Sequence, residues 1–332
     1  MSGISKIEWC NATWNPVTGC TRVSEGCRNC WAARLAATRL RNHPRYRGLA
    51  TYPDLRGVVP SWTGEVRTHP GLLAQTGRLD HPLHWHGGES PWAGKPRRIF
   101  VCSQADLFHE RVPDEFIADV FAVMSLSTKH VFQLLTKRPR RMAELIQSKA
   151  LVHLMGRPHT MEEAIVGVCG EFQSVPSVWP LPNVWLGVSV EDQKTADERI
   201  PLLLQTPTAA HWISYEPALA SVNLQSSIGN LQWVVAGGES GPNARPSHPE
   251  WFRVIRNQCE AAGVPYFHKQ NGEWLHSSQM DADQVNRALE IHGKNPERVH
   301  LWPDGKCSVR IGKKYAGRLL DEREWNEFPR IP

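Results

Sequence analysis

The sequence predicts an α/β fold, a partial or complete TIM-type (β/α) barrel of about six to seven parallel strands with a loop-rich insertion and a C-terminal accessory segment. From Arg98 onward, short runs of β-branched and aromatic residues recur at wide intervals. Each run closes on a polar or Gly-rich turn, and a stretch of helical periodicity follows it. Strands joined by such crossovers lie parallel. With 332 residues, the chain is long enough to bury a substantial core of this kind.

The first expected strand is short, around Ala12 to Pro16, and an Ala-, Arg- and Leu-rich helix follows at Trp31 to Leu40. Between them lies a polar loop. The later strands are expected at Arg98 to Cys102, His130 to Leu135, Val184 to Val190, His211 to Tyr215, Leu231 to Ala236 and Pro265 to Lys269. Helices are expected at Pro113 to Leu126, which opens Pro-Asp-Glu, and at Pro249 to Ala262, where Phe252, Ile255 and Cys259 share a face. Two regions break the rhythm. Residues from about 42 to 95 are rich in His, Gly, Pro and Trp and read as an insertion over one barrel face. Residues 276 to 332 form an accessory segment, in which HLWPDGKCSVRI has the pattern of a hairpin turning at Asp304-Gly305. The barrel domain is then residues 1 to 275.

Thirty-eight Lys plus Arg against thirty-three Asp plus Glu leave a net charge of +5, compatible with a polyanionic partner without demanding one. The 14 Trp suit stacking on bases and equally suit core filling. No run reaches the roughly 18 apolar residues of a membrane span. The opening MSGISKIEWC lacks a signal peptide's apolar stretch, so the expected compartment is the cytoplasm. In a cytosolic chain, clustered cysteines bind metal or do redox chemistry more often than they pair.

The sharpest pattern is TGCTRVSEGCRNCW, which spaces Cys20, Cys27 and Cys30 by gaps of six and two residues in a Gly-punctuated loop. Three thiolates on a four-iron cluster leave one iron open, whereas a structural zinc site needs four closed ligands. Cys10 is available as a fourth ligand, so zinc stays open as an alternative, as does simple burial of three small residues. In the insertion, His69, His81, His84 and His86 have metal-like spacing, but solvent-facing loop histidines are the expectation.

Three clustered cysteines after a first strand, followed by a βα barrel, resemble the radical S-adenosylmethionine superfamily. The segments EWCNATWNPVTGCT, SQADLFHE, LLTKRP, GVSVEDQ, SYEP and AGGESG, with AGRLLDEREWNEFP in the tail, resemble a phage-associated branch of it, and the likeness to spore photoproduct lyases is distant. The common superfamily spacing is CxxxCxxC. Here the first gap is six, Asn29 stands where an aromatic residue usually precedes the last cysteine, and Trp31 follows it.

The resemblance implies a 4Fe-4S cluster on Cys20, Cys27 and Cys30, and S-adenosyl-L-methionine cleaved to a 5'-deoxyadenosyl radical with an electron from an external donor. Sites in such barrels gather at strand C-terminal ends. Ser103, Gln104 and Asp106, Thr136 and Lys137, Ser189 and Glu191, and Glu239 are then the expected cofactor contacts. Cys102, a potential hydrogen-atom donor, and Tyr215 and Glu216 are the catalytic candidates. Arg138, Arg245, Lys269 and Gln270 are the candidates for holding substrate, with phosphate as their natural ligand. The expected reaction is on a nucleic acid or nucleotide, with a DNA lesion repair lyase favoured. A zinc-stabilised nucleic-acid-binding module without catalysis and a radical enzyme acting on a peptide or small metabolite are the alternatives.

Overall fold

The computed structural model describes residues 3–51, 59–69, 95–148, 150–155 and 178–330. The fold is mixed α/β, a half-barrel of seven parallel strands, as the periodicity predicts. It divides into two compact units, residues 1–22, 32–188 and 202–211 in one and 23–31, 189–201 and 212–332 in the other.

In the first unit, β1 (Ala12–Trp14) pairs in parallel with β2 (Arg98–Val101), β2 with β3 (Val131–Thr136), and β3 with β4 (Val184–Val190). The two-residue strand Gly3–Ile4 adds an antiparallel edge to β1. Every residue of β4 is buried, as befits a parallel strand covered on both faces. Helix α1 (Trp31–Ala37) buries Ala32, Ala33, Ala36 and Ala37, small residues that allow close approach. Helix α2 (Asp114–Leu126) opens with two acids in its first turn, which favour the positive end of the helix dipole, and buries Phe116, Ile117, Val120, Phe121 and Met124. Helix α3 (Pro139–Gln147) starts on a proline, whose missing N–H is no loss at that position. From the insertion, the described residues contribute the short pairs Ala50–Thr51 with Ser61–Trp62 and Val17–Thr18 with Arg67–Thr68.

The second unit holds residues 212–215 of β5 (Ala210–Tyr215), with β6 (Trp233–Gly237) and β7 (Tyr266–Gln270), paired in parallel in that order. Helix α4 (Pro249–Ala262) has His248 as its N-cap, Pro249 in its first turn and Gly263 in the left-handed region at φ +67° just past its end, where a side chain would be strained. It buries Phe252, Ile255 and Cys259, and burying a side chain such as Phe252 stabilises by about 1.5–3 kcal/mol. The accessory segment is a three-stranded antiparallel sheet with β8 (Leu275–His276), β9 (Val299–Leu301) and β10 (Cys307–Val309), β10 in the middle. Between β9 and β10 the expected hairpin is present, with Gly305 at φ +79°. Helix α5 (Ala282–Lys294), opened by a capping box on Asp281 and Gln284, belongs to the same segment.

Half of the described tryptophans fill cores. Trp9, Trp14, Trp185, Trp212, Trp233 and Trp325 are buried, while Trp31 is exposed. Among the described residues, no helix is long and apolar enough to cross a membrane.

On β7, His268 is fully buried, with Nε2 3.0 Å from Asn271 Oδ1 and Nδ1 3.3 Å from the Tyr266 hydroxyl. A neutral ring satisfies both contacts, donating to the amide oxygen and accepting from the phenol. Burial pushes its pKa down to about 4 from 6.5. The folded state therefore disfavours the proton. This contribution is complete above pH 6.5 and is lost as pH falls from 6.5 toward 4. A shift of this size corresponds to about 3 kcal/mol. Urea unfolding at pH 7 and pH 4.5 should show the wild type losing a large part of that amount relative to His268→Gln, and parallel pH dependences would contradict the assignment.

Candidate functional site

Cys20 belongs to the first unit, and Cys27 and Cys30 belong to the second. In the first unit, Gly19 takes φ +91°, and a β-carbon there would run into the Glu65 carbonyl, so the chain turns toward Cys20 only with glycine. Gly19 also bridges in parallel to Ala105. Asn15 fastens the adjoining segment, its Oδ1 accepting from Ser103 Oγ at 3.0 Å and from the Gln104 amide at 3.2 Å. Gln104 Oε1 accepts from the Tyr46 hydroxyl.

Asp106 is the hub of this half. Its Oδ1 accepts from Thr136 Oγ1 at 2.8 Å and Phe108 N at 3.0 Å, and its Oδ2 accepts from Lys137 N and Arg138 Nη1, both at 3.1 Å. The ends of β2 and β3 are thereby tied through one carboxylate. Arg138 also donates through Nε to Glu110 at 2.8 Å, through Nη2 to the Thr21 carbonyl at 3.3 Å, and through Nη1 to Cys20 Sγ at 3.8 Å. Burial alone would lower the Arg138 pKa, but Asp106, Cys20 and Glu110 outweigh it and hold the group above its ordinary value. Arg138 is thereby a fixed cation beside the Cys20 sulfur. Cys102 differs. It sits buried at the end of β2 with φ +58°, and burial pushes its pKa far up, so it stays a thiol.

In the second unit, a single 3₁₀ turn at Glu25–Cys27 presents Cys27, with Cys30 N donating to the Cys27 carbonyl at 3.3 Å. Both cysteines are partly exposed. Two buried carboxylates hold this turn. Glu191 accepts from Ser24 Oγ at 2.8 Å and from Arg199 Nη1 at 3.1 Å, and the same Arg199 atom donates to the Ser189 carbonyl at 2.7 Å. Gly26 lies against the Glu191 carboxyl with no room for a β-carbon. Glu239 Oε2 accepts from Asn29 Nδ2 at 2.9 Å and from the Arg245 backbone at 2.8 Å, and Arg245 Nη2 reaches Glu239 Oε1 at 2.6 Å and the Glu25 carbonyl at 3.0 Å. Asn29, standing at the aromatic position, thus ties the turn to Glu239.

At the ends of β5 and β7 in the same unit, Lys269 Nζ donates to Glu216 Oε2 at 3.1 Å. Gln270 Nε2 donates to the Gly238 carbonyl at 2.8 Å, while its buried Oε1 has no partner. Tyr215 is buried, its hydroxyl donating to the Ala220 carbonyl, and burial raises its pKa.

Three soft thiols on one glycine-punctuated stretch of sequence, one of them beside a buried arginine, are of the residue type that an iron–sulfur cluster takes. Cys10 is buried in the first unit, and its thiol donates to Ser5 Oγ at 3.2 Å.

His69 departs from the solvent-facing expectation. Its Nε2 lies 3.0 Å from Thr18 Oγ1 and accepts from Arg45 Nε at 3.3 Å, and burial with Arg45 nearby pushes its pKa to about 4. The pairing of Val17–Thr18 with Arg67–Thr68 delivers it there, and neither segment reads as a strand in sequence. His81, His84 and His86 lie outside the described residues. Sequence reasoning also missed Asn15, Ser24, Asn29 and Arg199. Polar residues inside the quoted motifs around Cys20 and Cys27 are the signal that pointed to the first three, whereas Arg199 carries no local signal.

The model of the family described as "Protein of unknown function (DUF5131)" matches residues 4–329. The chain belongs to that family. No curated protein matches this DUF5131 member in sequence. In structure it is similar to a spore photoproduct lyase cysteine-to-serine mutant, at TM-score 0.41 and 10% identity over 95% of this chain and 72% of that one. It is also similar to a double mutant of that lyase with bound AdoMet and dinucleoside spore photoproduct, at TM-score 0.41 and 9% identity over 93% and 71%. At these values the likeness carries over neither ligand nor chemistry to the DUF5131 chain.

Proposed function

We propose that this chain is a radical S-adenosylmethionine enzyme whose Cys20, Cys27 and Cys30 hold a 4Fe-4S cluster, and that it acts on nucleic acid, with a DNA lesion repair lyase as the favoured activity. The observation that carries the reading is the CxxxxxxCxxC loop itself, with a buried arginine donating to one cysteine sulfur and two buried glutamates holding the turn that bears the other two. When bound, the cluster and S-adenosylmethionine supply one-electron cleavage of the sulfonium and the radical that follows, with an external electron donor.

The chain's own residues bind, orient and exclude water. Asp106 is saturated by four protein donors, so its part is to fix the β2 and β3 ends rather than to touch ligand directly. Glu191 and Glu239 act in the same way on the cysteine turn. Ser103, Gln104, Thr136, Lys137 and Ser189 remain the cofactor-side candidates. The unpartnered Oε1 of Gln270 is suited to accept from a ligand N–H or O–H, since a buried carbonyl oxygen left unpaired is costly. Lys269 and Arg245, each already paired with a carboxylate, offer their remaining N–H groups to phosphate. Cys102, held as a thiol, keeps the S–H bond that hydrogen-atom donation needs.

The test is anaerobic reconstitution with iron and sulfide, then absorption and electron paramagnetic spectroscopy and a dithionite-driven assay for 5'-deoxyadenosine. A brown protein that forms deoxyadenosine supports the reading. A colourless zinc protein without cleavage replaces it with the binding module. DNA affinity measured across salt separates substrates, since phosphate contacts make log K fall steeply with log salt and a peptide or metabolite enzyme shows no such slope.

A further inference from the structure

Away from the cysteine loop, the second unit brings together three donors that none of the function proposed above uses. His248 caps helix α4, His276 ends strand β8, and Asp304 sits in the β9–β10 turn. One donor atom from each lies within 4.8 Å of the others, and among the described residues this is the one such trio. His248 Nε2 is 3.5 Å from Asp304 Oδ2. Bonds of about 2.0 Å to a tetrahedral zinc ion set ligand atoms about 3.3 Å apart, so this edge is already nearly the right length.

A second, independent observation points to a ligand. His276 is 3% exposed, and its buried Nε2 has no hydrogen-bond partner. The opposite nitrogen, Nδ1, accepts the Ser278 backbone N–H at 3.1 Å and lies 2.8 Å from Ser278 Oγ, so the ring proton sits on Nε2; on loading it moves to Nδ1, where the hydroxyl accepts it, and the Nε2 lone pair is freed for a metal. Asp304 is set similarly, with Oδ1 taking the Lys306 backbone N–H at 3.0 Å and the carboxylate held in its turn. Trp302 stands against His248, ring centroids 4.9 Å apart, and gives the site an aromatic wall.

We propose that His248, His276 and Asp304 form a divalent metal site for Zn²⁺, with two imidazoles and one carboxylate as protein ligands and water in the fourth position. The ion clamps the helix α4 N-terminus to the strand end and hairpin turn of the accessory sheet. Proton placement accounts for the apo contacts. His248 Nδ1 now accepts the Glu250 N–H at 3.2 Å, so the ring proton sits on Nε2 facing Asp304. On loading, that proton moves to Nδ1, the long cap contact is given up, and Nε2 coordinates the metal; the ring stays neutral and no net proton leaves it.

The site is independent of the cluster reading, and the test keeps the two apart. Co²⁺ is titrated into the full-length wild type and into a full-length variant with Cys20, Cys27 and Cys30 all replaced by Ala, followed by displacement with Zn²⁺. One equivalent of cobalt with visible bands of nitrogen and oxygen ligation, without thiolate-to-metal charge transfer, is expected in the chain that lacks the three loop cysteines. His276→Gln and Asp304→Asn in that background should each weaken binding at least tenfold. Asp304 is exposed in a turn, so Asp304→Asn keeps the test decisive where His276→Gln fails to fold. Cobalt bands present only when the cysteines are present, or unchanged in both substitutions, overturn the site.

Discussion

Alanine at any one of Cys20, Cys27 or Cys30 is expected to leave the reconstituted protein without its four-iron chromophore and without deoxyadenosine formation, while Cys10→Ala keeps both. The expectation rests on environment as well as spacing. Cys27 and Cys30 are partly exposed on a turn, and Cys20 is partly exposed with Arg138 at its sulfur. Thiols so placed are accessible to a metal, whereas a buried thiol is not. Cys10 is of the second kind, 5% exposed and donating to Ser5. Its replacement is expected to lower stability modestly, as loss of a small packed side chain does. Iron and sulfide content per chain, with the visible spectrum, decides the matter. Equal metal loss for Cys10→Ala and the loop variants would favour a four-cysteine zinc site instead.

Arg138→Met is the second large effect, expected to destabilise the chain by about 3–5 kcal/mol in urea unfolding. The guanidinium and the Asp106 carboxyl are 5% and 7% exposed, so removing the arginine takes a buried counter-charge from a buried carboxylate. Glu110 adds little to this figure, because its side chain is 64% exposed and screened by water. Asp106→Asn combined with Arg138→Met should destabilise by less than the two single changes together, as groups in one network do. Arg138→Lys keeps a charge but loses the fork that reaches Asp106, Glu110, the Thr21 carbonyl and Cys20 at once, and is expected to fall between wild type and Met. Additive single changes or a loss below 1 kcal/mol for Arg138→Met would remove Arg138 from the centre of this half of the site.

Much of the architecture was legible in the order of residues alone. The run VWLGVSV announced a strand, and Val184–Val190 is one, buried along its whole length. Pro249 to Ala262 was readable as a helix from its opening proline and the spacing of Phe252, Ile255 and Cys259, and Asp304-Gly305 as a hairpin turn. These are local signals, in which periodicity, caps and turn residues act within a few positions of the chain. The triplet of cysteines was legible for the same reason, because metal-ligand spacing is itself a local property.

What surrounds those cysteines was decided by tertiary structure. Nothing near Glu191 in sequence foretells that its carboxyl meets Ser24, 167 positions away. Nor does the sequence show that Asn29 reaches Glu239, or that Arg138 lies beside Cys20. Asp106, Glu191 and Glu239, the acids expected at the cofactor, also accept hydrogen bonds from donors of the chain itself. His69, expected in solvent, is drawn against Thr18 and Arg45, and the trio His248, His276 and Asp304 comes from a helix cap, a strand end and a turn. For the groups that are paired, the physical reason is common. A buried charge or ring nitrogen must find a partner, its strand and helix ends determine which groups are within reach, and that choice depends on distances in space that neither periodicity nor composition encodes.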